Sequence, residues 1–159
     1  MEGHKITDTR EALKFMFAGK SIFTFINTKT ENRFTYKIKS AKDSNLFFVS
    51  VLTTNSDSEH RELSSYDYIG TCVEGNYKHG KKSLISSDAQ SVRVFEFMLD
   101  KLKSDSLPDF LEVWHEGFCG KCGSRLTVTS SILTGIGPEC FKRLSKADKR
   151  DKFLELILS

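Results

Sequence analysis

The sequence predicts an α+β fold, an antiparallel sheet of four to five strands covered by helices. Three observations lead there. Period-two alternation recurs in short segments between residues 21 and 79, helical periodicity flanks them, and the stretch after Pro108 has a glycine- and cysteine-rich composition of its own. At 159 residues the chain is one domain, or one domain with a small appended module. Hydrophobic residues make up only 38%, but 13 Phe and 4 Tyr supply bulky core material.

Thr7 or Asp8 is placed to cap a first helix with apolar Ala12, Leu13, Phe15, Met16 and Phe17, which Gly19 ends. "SIFTFI" (21–26) and "RFTYKIK" (33–39) alternate, and "NTKTEN" joins them as a hairpin. In the second of these strands Phe34, Tyr36 and Ile38 share one face, while Arg33, Thr35, Lys37 and Lys39 share the other. "NLFFVSVLT" (45–53) reads as a more buried strand, followed by a polar loop at 54–65. "YDYIGTCV" (66–73) is the fourth strand, and Gly75-Asn76 turns into a short fifth at 76–79. From Ser87 or Asp88, as N-cap, the period becomes helical through Val92, Phe95, Met98, Leu99 and Leu102. The expected division is an α+β body at 1–108, then a metal-binding module and C-terminal helix at 109–159.

Charge separates the same two parts. Residues 1–114 hold 16 basic and 16 acidic side chains, and residues 115–159 hold 8 and 5, so the formal net charge of +3 lies wholly in the tail. That bias is far below a strongly basic nucleic-acid domain. No apolar run approaches the length of a membrane span. The charged start "MEGHKITDTREALKFMF" lacks an apolar signal segment, so a cytoplasmic protein with reduced thiols is expected.

Segment 115–139 carries five glycines and few large apolar residues, too little for a hydrophobic core. It does carry "HEGFCGKC" and, further on, "GIGPEC": His115, Cys119, Cys122 and Cys140 in the pattern H-x3-C-x2-C-x17-C. A C-x2-C pair lets two thiolates bind one ion from a tight turn, and Gly120 and Gly123 relieve that turn. Cys140 opens the helical run "CFKRL", where a helix N-terminus favours thiolate. Three thiolates and one imidazole point to a single structural Zn²⁺ in a closed Cys3His knuckle. The alternatives are buried core thiols, and for His115 a surface histidine beside Trp114 with another fourth ligand. A redox pair lacks the βαβ context it needs.

These residues also resemble a small zinc-module family of uncharacterised function, found in phage and plasmid proteins and in some bacterial DNA-processing proteins. Its signature is C-x2-C-G-[RK]-x-L-T followed by G-x-G-P-x-C. Cys119, Cys122, Gly123, Leu126, Thr127, Gly135, Gly137, Pro138 and Cys140 match it; Ser124 departs, with Arg125 one place late. The body before the module is more loosely similar to the region preceding it in other small phage proteins. The resemblance implies zinc binding with His115 as a ligand, a phage or mobile-element origin, and hence the host cytoplasm. It implies no activity.

Two tempting chemistries fall short. Gly75–Ser83 comes within one residue of a phosphate-binding G-x4-G-K-[ST] loop, but Lys82 occupies the hydroxyl position and no helix follows at once, so no nucleotide cofactor is expected. Cys72, with His60 and His79 elsewhere, suggests a nucleophile pair, yet a strand position reads as a buried thiol. No residues identify an enzyme. The remaining hint is basic: Arg33, Lys37, Lys81 and Lys82 in the body, with Arg125, Lys142 and Arg143 in the tail. The expected function is a non-catalytic, zinc-stabilised binding protein contacting nucleic acid. The alternatives are a protein-binding effector or inhibitor of a host system, and an enzyme with an unrecognised site.

Overall fold

A computed structural model describes residues 4–41, 45–53, 66–126 and 135–136. In chain order the elements are β1 (His4–Ile6), α1 (Thr9–Met16), β2 (Lys20–Asn27), β3 (Arg33–Ser40), β4 (Leu46–Leu52), β5 (Tyr66–Val73), β6 (Asn76–His79), α2 (Gln90–Lys103) and β7 (Leu111–His115). The strands form one antiparallel sheet in the order β1-β7-β2-β3-β4-β5-β6.

The class is therefore α+β, but the sheet has seven strands among the described residues where the sequence predicts four to five. The two additions are β1 and β7. Three residues are too few to show a period, and Leu111–His115 falls in the segment the sequence reading assigns to the metal-binding module. Both become strands because β7 inserts between β1 and β2, pairing Trp114 with Lys5 on one side and Thr24 on the other. The outermost pair is clasped by Lys5 and Glu112, 3.0 Å apart. That contact and a hydrogen bond from Trp114 hold the Glu112 carboxyl below the usual carboxylate range.

One face of the sheet carries the core. Phe23, Phe25, Tyr36, Ile38, Val49, Val51 and Val113 are buried there against Leu13, Phe15 and Met16 of α1 and Val92, Phe95, Met98 and Leu102 of α2. Aromatic contacts continue across this layer, with ring centroids of Tyr36 and Phe95 5.2 Å apart. The Tyr36 hydroxyl reaches through it to donate to the Ser91 carbonyl at 2.6 Å, and burial pushes that phenol above its ordinary range.

Asp8 caps α1, its Oδ1 accepting the amides of Arg10 and Glu11. The second helix begins later than expected. Ser86 Oγ accepts the amide of Asp88 and the Ser86 carbonyl accepts that of Ala89, so these residues form a preceding turn and Ala89 is the cap, with no side-chain bond. The β5–β6 hairpin turns on Glu74-Gly75, both at positive φ, one residue before the expected pair. In β5 the register shifts opposite Val49/Ser50, an irregularity that seats Tyr66 and Tyr68 opposite Leu52 and Ser50. The polar loop at 54–65 and the C-terminal helix lie outside the described residues.

Candidate metal centre

β7 delivers His115 onto the core face, in register with Phe23 of β2 and His4 of β1. Its ring is fully buried, 5.8 Å from the Phe15 ring and 6.0 Å from that of His4 by centroids. The Nδ1 atom accepts the amide of Gly117 at 3.0 Å. Gly117, at φ +90, lets the chain double back at once.

Beyond Gly117 the chain forms a tight knuckle. Phe118 and Arg125 form an antiparallel bridge, and the amide of Cys119 donates to the Ser124 carbonyl at 2.7 Å. Gly123, at φ +80, donates to the Cys119 carbonyl at 2.8 Å. Leu126 closes the hairpin on the Gly117 carbonyl, also at 2.8 Å. Within the turn, the Lys121 amide points at Cys119 Sγ, 3.4 Å away. An amide aimed at sulfur stabilises negative charge there, which is what a thiolate ligand requires. Cys119 is buried and Cys122 exposed.

The knuckle is built onto the body, with Phe15 as the hub. The Gly120 carbonyl accepts the amide of Lys20 at 2.7 Å, and its amide donates to the Gly135 carbonyl at 2.8 Å. A Cβ on Gly135 would stand 2.5 Å from Phe15 Cδ1, and one on Gly120 would stand 2.8 Å from the Phe15 carbonyl oxygen. Leu126 and Ile136 join the same apolar cluster as α1. Phe15 thus brings the His115 ring and the cysteine turn to one side of the sheet. Cys140 lies outside the described residues, among which no group of three His, Cys, Asp or Glu side chains gathers as a metal site.

Behind His115, on the opposite sheet face, sits a residue the sequence reading misses. Glu116 is buried, and its Oε1 accepts the Thr24 hydroxyl, which also shares a 2.7 Å hydrogen bond with Thr35. Among the described residues, Glu116 Oε2 and the buried Tyr66 hydroxyl have no partner. Burial, reinforced by the nearby Glu116 carboxyl, raises the Tyr66 phenol above its ordinary range. Alternation carries the signal: if His115 faces the core, Glu116 faces the threonines of "FTF" and "FTY".

The basic side chains do not converge. Arg33 and Lys37 share a face of β3, but Lys37 folds over the Tyr66 ring with Nζ 5.5 Å from its centroid, while Arg33 is exposed. Lys81 and Lys82 follow β6, at the edge of the sheet remote from β1 and β7. Arg125 stands on the knuckle, its guanidinium 5.4 Å from the Phe118 ring. Lys142 and Arg143 lie outside the described residues.

The phosphate-loop-like segment Gly75–Ser83 is divided between a hairpin turn, β6 and a bend. There Ser83 Oγ donates to the Tyr68 carbonyl at 2.7 Å, and α2 starts only at Gln90. Cys72 is fully buried on β5, and burial pushes its thiol up to about 12 against a smaller opposing effect of Lys103. His79 pairs with the Tyr77 hydroxyl at 3.1 Å. Among the described residues no helix is long and apolar enough to cross a membrane.

No curated protein and no solved structure matches the chain. Residues 111–145, from the start of β7 through the knuckle to Cys140 and beyond, match the model of a family of unknown function (DUF6011).

Proposed function

We propose that this chain is a non-catalytic binding protein, of phage or mobile-element type, whose C-terminal part is stabilised by one structural Zn²⁺ and whose partner is nucleic acid. The observation that carries the metal reading is the Lys121 amide aimed at Cys119 Sγ inside a turn that offers two sulfurs three positions apart. Cys119, Cys122, Cys140 and His115 would hold the ion, and its chemistry would be cross-linking. Four protein donors leave no position for a substrate, so the ion supports shape. The donor set suits zinc over harder cations, because thiolate and imidazole are soft and borderline ligands.

Nucleic acid is favoured as partner by the charge distribution, since the whole net positive charge follows Trp114 and Arg125 is exposed on the knuckle. Exposed Phe48 and Phe97 favour the second reading, a protein partner. Elemental analysis of the purified protein tests the metal: one zinc per chain is expected, and its absence, or iron in its place, ends the reading. Capture from cell lysate with and without nuclease tests the partner. Retained material that disappears with nuclease supports nucleic acid, whereas a partner protein that survives nuclease sinks it.

A further inference from the structure

The β2–β3 hairpin, the N-terminal half of α2 and the residue preceding β7 enclose a cleft of about 770 Å³. It lies away from the knuckle, and neither the metal nor the basic tail accounts for it. We infer that this cleft is a binding site for a small aromatic carboxylate.

Its walls are aromatic and come from separate elements: Phe34 of β3, Phe97 of α2 and Phe110 ahead of β7, with Met98 behind them. Phe97 remains 46% exposed, an unusual position for a phenylalanine on a helix whose other face is fully packed. A volume in this range with apolar walls and a few polar groups at its mouth is what small-molecule sites share. Flat ligands suit it because ring faces and edges offer offset and edge-to-face contacts.

The charge at the mouth selects the ligand's other end. Lys29 Nζ lies 4.1 Å from the Phe110 ring centroid and Lys101 Nζ 5.4 Å from that of Phe97, so two of the three aromatic walls are edged by a cation. Arg93 lines the cleft, and its guanidinium has no ion-pair or hydrogen-bond partner among the described residues. Asp88, exposed at the rim, is the one acidic residue of the lining and Arg93 the one basic residue. As the one cationic side chain of the lining, Arg93 can take a carboxylate on its guanidinium through two parallel N–H bonds.

The test compares 2-naphthoate with its neutral isostere 2-naphthamide by amide chemical-shift titration of the full chain. Naphthoate should give saturable shifts along the hairpin and around Arg93 and Val94, and should bind about tenfold more tightly than the amide. Arg93→Gln should remove that preference while leaving the weaker apolar binding. Val94→Trp, which fills the cleft from a half-buried position, should abolish both. Absence of saturable shifts at millimolar naphthoate would overturn the assignment. So would equal affinity for the two compounds, or shifts unaffected by either variant.

Discussion

His115 Nδ1 accepts the amide hydrogen of Gly117 at 3.0 Å in a fully buried setting. An imidazole nitrogen that accepts carries no proton, so the neutral ring holds its proton on Nε2. Chelated protein should therefore show a protonated Nε2 and an acceptor-type Nδ1 in ¹⁵N spectra of His115. Adding zinc should move those signals and leave His79, on the far edge of the sheet, in place. A His115 ring that stays silent while one zinc binds removes it from the ligand set.

The packing of the knuckle against α1 is testable without metal. Phe15 is fully buried, so its ring has no room to retreat from a methyl group on Gly135, which also sits at φ +77. Gly135→Ala should cost about 1–3 kcal/mol in urea denaturation. Phe15→Leu should recover part of that loss, because the clash is with ring carbon. The same second change should rescue Gly120→Ala less, because its added methyl meets not only the Phe15 ring at 2.8 Å but also the Phe15 carbonyl oxygen at 2.8 Å, which the substitution leaves in place.

Thr24 links Glu116 and Thr35 in a buried chain of hydrogen bonds. Thr24→Val keeps the shape and removes the hydroxyl, leaving a buried carboxylate oxygen without its donor. A loss of about 1–3 kcal/mol is expected, and Thr24→Ser should retain most of the stability. Adding Glu116→Leu to Thr24→Val should cost less than the two separate losses combined, since no buried oxygen is then left without its donor. Strict additivity would show that the pair does not interact.

How much of this is legible beforehand depends on where each determinant lies. The β2–β3 and β5–β6 pairs are readable because alternation and turn residues are local, within one hairpin. The strand β7 is not, because Val113 and His115 become inward positions only once β1 and β2 flank them. The N-cap of α2 misleads for a related reason, as Asp88 and Ala89 turn their amides back onto Ser86 in a preceding turn that the helix pattern does not reveal. At the candidate site, C-x2-C with its glycines announces the knuckle turn. Glu116, one residue from His115, stays hidden until the opposite face is known to bury threonines.

Alkaline pH should expose the buried thiol. Cys72 keeps its proton in the folded protein up to about 12, whereas the unfolded chain releases it near 9.0. The folded state binds the extra proton between those values, so this group's contribution is intact below pH 9 and is lost as pH rises toward 12. Cys72→Ala should make the alkaline decline of stability shallower by up to one proton. Burial raises Tyr36, Tyr66 and Tyr77 in the same direction, and they keep the remaining slope. Iodoacetamide should leave Cys72 unmodified in native protein at pH 8 and label it after unfolding. Labelling of native protein at the rate of an exposed cysteine would contradict the burial.

The basic residues should not act as one surface. Five strand spacings separate β7 from β6, roughly 24 Å at the usual interval, with Arg125 on the knuckle that follows β7 and Lys81 and Lys82 just after β6. A single strand of about six nucleotides, roughly 20 Å long when stacked, is too short to reach both. If the knuckle end binds nucleic acid, Arg125→Ala should weaken binding of such an oligonucleotide severalfold at low salt. Replacing Lys81 and Lys82 together with Gln should leave that affinity nearly unchanged, apart from a small long-range effect that salt removes. A longer strand should begin to sense the lysine pair, and fluorescence anisotropy across a length series would reveal the onset. Loss of short-strand binding in the lysine variant, with Arg125→Ala unaffected, would place the interface at the β6 edge and separate it from the metal site.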